Sequence, residues 1–175
     1  MNRLVLDRLD IRPGQRVLEV GFGGGDLLDS LLKTGLQEVV GIDISDAMVA
    51  RARRRFRREI NEGRLRLLTG SAEALPLREG GFDKVASVNT VYFWTRPAAV
   101  IAELARVMRP GGMLALAFQS PDSVTAWPGH VHGFHAYGAD EIGALMQAAG
   151  FHPPAISTGS DPKIGEFLCL TSERK

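Results

Sequence analysis

Two hydrophobic rhythms alternate along the chain. Short runs of Val, Ile and Leu end in Gly or Asp, and between them lie stretches with apolar residues every three or four positions. Arg16-Val-Leu-Glu-Val20 predicts a strand running into glycines, and Asp26 to Lys33 a helix with Leu27, Leu28, Leu31 and Leu32 on one face. A second strand, Glu38 to Ile42, ends at Asp43. Ser45 or Asp46 then caps a long helix ending near Gly63. Leu65 to Leu68 and Lys84 to Val88 predict the third and fourth strands. Pro97 opens a helix that runs to Arg109, where Pro110-Gly111-Gly112 stops it, and Met113 to Phe118 is the fifth strand. Helix returns from Ala139 to Ala149 and closes at Gly150. Ala155 to Thr158 and Glu166 to Thr171 form a last strand pair, and Leu4 to Leu9 a short amphipathic helix at the start.

Strands alternating with helices imply parallel pairing, because parallel neighbours need a crossover. The expected architecture is α/β: a doubly wound, mostly parallel seven-stranded sheet with helices on both faces. The final pair, joined by a short Gly-Ser-Asp-Pro-Lys link, adds an antiparallel terminal strand. No repeat, low-complexity tract or linker interrupts residues 1–175, so one domain is expected.

Composition narrows the function. Hydrophobic residues make up 45% and charged residues 23% of 175, the balance of an ordinary folded domain. With 21 basic against 20 acidic side chains, net charge +1, no bulk field favours a nucleic acid or a membrane. No apolar run approaches the roughly 20 residues of a membrane helix, and Met1-Asn-Arg-Leu lacks the apolar centre of a secretory signal, so a cytoplasmic location and no membrane partner are expected. Cys169 is the sole cysteine and falls in an apolar stretch, which excludes an internal disulfide and a Cys-rich metal site. The 20 glycines exceed the usual share, and they cluster.

The first cluster, Val17-Leu-Glu-Val-Gly21-Phe-Gly23-Gly24-Gly25, closes the first strand, where an open α/β sheet binds nucleotide-like ligands. A dinucleotide fingerprint would place its third glycine at position 26, which is Asp26, an acid poorly placed beside a pyrophosphate. Glu19 points the same way, since a carboxylate at the strand tip suits a ligand carrying positive charge. Asp43, at the end of the second strand, can accept hydrogen bonds from both hydroxyls of a ribose, and Ile44 can lie against a base.

With these motifs in order from about Leu9 to Phe118, the sequence resembles the class I S-adenosylmethionine-dependent methyltransferases, most closely their small-molecule, ubiquinone/menaquinone-type branch. The resemblance implies a Rossmann-like fold and S-adenosyl-L-methionine as cofactor. It places Glu19, Gly21, Phe22 and Gly23 in the loop that holds the methionine part, and Asp43 and Ile44 at the ribose and base. Ser71, Ala72 and Glu73 fall in the adenine-binding motif, where Ser71 stands in the position commonly held by an Asp. Phe82-Asp83-Lys84-Val85, followed by Ser87-Val88-Asn89, resembles the fourth-strand motif whose end, with Asn89, faces the methyl group. Arg109-Pro110-Gly111-Gly112-Met113 resembles the family's turn before the fifth strand.

The implied reaction is an in-line displacement in which an acceptor O, N, C or S attacks a sulfonium methyl. Because the methyl donor is already activated, much of the catalysis can come from alignment of nucleophile, methyl and sulfur in a site that excludes water. No motif names a general base, and the candidates are Tyr92, His132 and His135. Asn89-Thr-Val-Tyr92 shares its first and last residues with the Asn-Pro-Pro-Tyr of amino-methylating enzymes but lacks both prolines. His130, His132 and His135 allow a metal site, a substrate-facing lid or a solvated loop. No carboxylate or cysteine lies within that cluster, so no metal is assigned. Arg51, Arg53, Arg54, Arg55, Arg57 and Arg58 suggest either a nucleic-acid patch or a solvated outer face; Val49, Ala52, Phe56 and Ile60 share the opposite side, which favours the second.

The expected function is methyl transfer to a small organic acceptor. A catalytically inactive cofactor-binding or regulatory module is the alternative, motivated by the missing acid at Ser71. A nucleic-acid methyltransferase and an NAD-dependent oxidoreductase rank below both. Only about ten residues precede the Arg12-Pro13-Gly14 turn, so the site is expected to be open, covered by the histidine loop, or closed by a second subunit in a homodimer.

Overall fold

The computed structural model describes residues 1–126 and 135–175. In chain order the elements are α1 (Asn2–Leu9), β1 (Arg16–Val20), α2 (Asp26–Leu32), β2 (Glu38–Asp43), α3 (Asp46–Arg55), α4 (Arg57–Asn61), β3 (Leu65–Thr69) and β4 (Phe82–Val88). A 3-10 turn (Val91–Phe93) then leads to α5 (Pro97–Val107), β5 (Met108–Gln119), α6 (Pro121–Ala126), α7 (Ala139–Ala148), β6 (Ala155–Asp161) and β7 (Gly165–Glu173).

All seven strands form one sheet in the order β3-β2-β1-β4-β5-β7-β6. Strands β1 to β5 pair in parallel, and β7 is antiparallel to both of its neighbours, so six strands share one direction. This is the Rossmann-like arrangement expected of the sequence. The chain winds outward from β1 to β3, then crosses back to β4 on β1's other side. The carboxyl ends of β1 and β4 therefore flank the point where winding reverses, which is where such sheets leave a crevice.

Alternation along the strands builds two cores. Val17, Val39, Leu67, Ala86 and Ala115 pack with α1, α2 and α3 through Val5, Leu9, Leu28, Leu31, Val49 and Phe56. Leu18, Val40, Ile42, Val85, Leu114 and Leu116 face the other side, against Val100, Ile101 and Leu104 of α5 and Ile142 and Met146 of α7. With successive side chains pointing to opposite faces, strands covered on both sides read as unbroken apolar runs.

Several boundaries differ from expectation. The long helix after Asp43 divides at Phe56 (φ −107°, ψ 29°), whose buried ring lies against Gly25; α3 itself opens as expected, the Ser45 hydroxyl accepting from the Met48 N–H. Helix α5 stops at Val107 instead of Arg109. Met108 is buried and extended, paired with Phe82, so strand β5 begins before the Pro110-Gly111-Gly112 segment and absorbs it as a bulge. The terminal strands run beyond their predicted ends at both β6 and β7, leaving Pro162 to Ile164 as the turn. Helix α6 was not legible in the sequence. Strand β6 is an edge, and its Ile156 is about half exposed.

Candidate functional site

A cavity of about 740 Å³ opens at the carboxyl ends of β1, β2 and β4. That volume lies within the ~300–1,000 Å³ common for small-molecule sites. Glu19, Gly21, Phe22, Gly23, Asp43, Ile44, Ser71, Ala72, Glu73 and Asn89 all line it, so the ten residues singled out for cofactor contact come together in space.

Glu19 sits one residue before the end of β1, on the face covered by α2. It is 3% exposed, and its Oε2 is fully buried with no hydrogen-bond partner among the described residues. Burial pushes its carboxyl well above the usual range, and the nearby Asp43 and Asp26 carboxylates push it further. An orphaned buried acid facing two more acids is costly unless a proton or a cation joins it.

The glycine loop follows from close approach. At Gly21 (φ +74°) a Cβ would lie 2.3 Å from Thr90 Cγ2, and at Gly25 (φ +80°) 2.8 Å from the Phe56 ring. Side chains are therefore excluded by both conformation and space. Asp43 holds the loop from β2, accepting from the Gly23 N–H at 2.8 Å on one oxygen and from the Ser45 N–H at 2.9 Å on the other. A carboxylate has about four lone-pair directions, so each oxygen retains one for a diol. Ile44, next in the chain, is 75% exposed.

On the far wall, the Ser71 hydroxyl accepts from the Glu73 N–H at 3.2 Å. The Glu73 carboxylate is held by Arg96, at 2.7 and 2.9 Å from the guanidinium and 3.1 Å from the Arg96 N–H, which keeps its carboxyl below the ordinary range. Glu73 thus braces the entry to α5 from the cavity rim.

Asn89 takes up a left-handed conformation (φ +55°) just past β4, and its Oδ1 accepts from the Tyr92 hydroxyl at 3.2 Å. Tyr92 itself is buried and does not line the cavity; its hydroxyl also accepts from the Gln119 N–H, and burial pushes its pKa up to about 12. It stands behind Asn89 rather than in the site. His135 is exposed, 3.7 Å from Glu141 and stacked near Tyr137, and is not among the lining residues. His130 and His132 lie outside the described residues, as does Trp127. Among the described residues, no cluster of His, Cys, Asp or Glu could hold a metal ion.

Further lining residues had no signal of their own in the sequence: Thr90, Phe93, Trp94 and Thr95 from the segment after β4, Met48 from α3 and Asn2 from α1. The first four directly follow the fourth-strand motif, and that adjacency could have flagged them. Three of the six clustered arginines are tied down locally, while Arg51, Arg54 and Arg57 are exposed. Arg53 reaches the Leu67 carbonyl, Arg58 pairs with Glu62, and Arg55 reaches across to the glycine loop.

Fold and cavity together define an α/β protein with a small-molecule site at the switch point of its sheet. A methyltransferase-domain family model matches residues 18–116, more than half of the chain. An uncharacterized methyltransferase of Bacillus subtilis, YdaC, is 34% identical over 99% of this chain and 91% of its own length. A demethylmenaquinone methyltransferase of Beutenbergia cavernae is 40% identical over 68% of this chain, which spans about half (47%) of that longer protein. Among solved structures, a SAM-dependent methyltransferase from Aquifex aeolicus shares the fold at a TM-score of 0.81 and 21% identity, covering 99% of this chain and 89% of that one. The chain belongs to the class I S-adenosylmethionine-dependent methyltransferases.

The residues present fit that cofactor. Glu19 offers an amino-acid ammonium a buried carboxylate oxygen that has no partner among the described residues, Asp43 offers the free lone pairs a ribose needs, and Ile44 offers an exposed apolar face for a base.

Proposed function

We propose that this chain transfers a methyl group from S-adenosylmethionine to a small organic acceptor. The observation that carries the reading is the buried Glu19 Oε2, without a hydrogen-bond partner among the described residues, in a cavity shared with Asp43 and the glycine loop. A small acceptor is supported by the near-zero net charge and by the quinone-type relative.

The cofactor, when bound, supplies an electrophilic methyl on a sulfonium. Glu19 would receive the ammonium and give up any proton it holds, while Asp43 would fix the ribose. Ile44 would cover one face of the base, with the backbone at Ala72 and Glu73 beside it. The acceptor would then meet the methyl near Asn89, whose side chain Tyr92 holds in place. Phe93 and Trp94, as cavity walls, would keep water from the reacting pair.

A second reading, a cofactor-binding module without turnover, is favoured by one observation. Among the described residues, Tyr92 and His135 do not line the cavity, and Asp43 and Glu73, which do, already accept hydrogen bonds from Gly23, Ser45 and Arg96.

Calorimetry with S-adenosylhomocysteine, followed by turnover of a labelled methyl donor with phenols, quinols, amines and RNA, tests both readings. Binding is expected for the wild type and should weaken by about 2 kcal/mol in Glu19→Gln, the scale of a lost charge-assisted hydrogen bond. Absence of binding would sink both readings. Label in RNA would overturn the small-acceptor assignment, and binding without any labelled product would favour the inactive module.

A further inference from the structure

Arg55 is the last residue of α3, where the helix breaks at Phe56. Its guanidinium donates to the Gly24 carbonyl at 2.7 Å and to Asp26 Oδ1 at 3.0 Å, joining two residues of the cavity wall to a helix far along the chain. The same guanidinium lies over the Phe56 ring, 4.9 Å from its centroid, and that ring's edge occupies the space a Gly25 side chain would need. The Gly24–Gly25 peptide is thereby held at both ends, since its N–H, on Gly25, donates to the Phe22 carbonyl at 2.8 Å.

This matters because the loop is built of residues that lose the most conformational freedom on ordering. Gly21, Gly23 and Gly25 all have positive φ. A binding loop ordered before the ligand arrives spares the ligand that cost. Asp43 restrains the loop from the strand side and Arg55 from the helix side. Arg55 also sets a positive charge beside Asp26, one of the two carboxylates that crowd Glu19.

Resting on the cofactor reading above, we propose that Arg55 is a positioning residue for the methyl-donor site. It clamps the Gly21–Gly25 loop in its binding conformation and so sets cofactor affinity without touching the cofactor. Of the six clustered arginines it is the one that reaches the cavity wall; Arg53 and Arg58 are engaged elsewhere.

The test is calorimetric affinity for S-adenosylhomocysteine in wild type, Arg55→Ala, Arg55→Lys, Asp26→Asn and the Arg55→Ala/Asp26→Asn pair. It is read alongside unliganded melting temperature and amide hydrogen exchange across the loop. Arg55→Ala should bind roughly five- to ten-fold more weakly, the scale of one such hydrogen bond at a half-exposed site. Its unliganded melting temperature should hold and its loop amides should exchange faster. Arg55→Lys should recover part of the affinity, and the double variant should lose less than the sum of the two single losses. Wild-type binding with unchanged Arg55→Ala affinity overturns the clamp alone, as does a melting temperature that falls in step with affinity. A wild type that does not bind overturns the cofactor reading and the clamp with it.

Discussion

Glu19 has a consequence that can be measured without any ligand. Its carboxyl titrates well above the ordinary value of about 4.5 in the folded chain and returns to that value on unfolding. The folded state therefore keeps the proton to higher pH than the unfolded state. The group's contribution is whole below about 4.5 and is lost as pH rises from there toward the raised folded value. Melting temperature of the unliganded wild type should fall across that window, and in Glu19→Gln the fall should be smaller. Affinity for S-adenosylhomocysteine should move the opposite way, strengthening as the carboxylate forms; a flat profile in both measurements would mean that Glu19 is not the buried acid that senses the site. Glu19, Gly21, Gly23 and Asp43 were legible in the sequence because they lie at strand ends, where spacing along the chain fixes position in space. Thr90, Phe93 and Arg55 were not. Their places depend on which strand lies beside which, and on a helix break that periodicity alone does not reveal.

At the level of elements, the site hangs on short connections between strand ends and helix starts. Helix α3 links both halves of it: Ser45 caps its start beside Asp43, Met48 lines the cavity, and Arg55 ends it over the glycine loop. Ser45→Ala should cost about 1 kcal/mol of stability by urea unfolding, the usual worth of such a cap. It should leave S-adenosylhomocysteine binding close to the wild-type value, because the hydrogen bond to Asp43 comes from the backbone N–H of residue 45, which alanine keeps. An unchanged unfolding midpoint would show that the Met48 N–H finds water as good a partner. Element identities were readable because apolar runs and turn residues agree locally. Boundaries near residues 56 and 108 were not, since burying Phe56 and pairing Met108 with Phe82 are long-range demands that override local pattern.

The whole molecule carries two apolar layers on one sheet, and neither layer is closed without it. We expect residues 1–175 to unfold as a single unit. Leu28 lies in one layer and Leu104 in the other, both fully buried. Leu28→Ala and Leu104→Ala should each cost about 2–5 kcal/mol. Each should also shift one common transition seen by both far-ultraviolet circular dichroism and fluorescence. Two separated transitions in either variant would show that the layers fold independently and that the chain is not one domain. The order of the strands adds a point about synthesis. Strand β7 follows β6 in sequence but lies between β5 and β6. For a polypeptide leaving the ribosome from its amino end, Ala155–Asp161 emerges first yet has nothing to pair with. It must wait for Gly165–Glu173, with which it can close as a hairpin across the Pro162–Ile164 turn, so the edge of Met108–Gln119 stays bare and open to stray partners until the last residues of the chain are made.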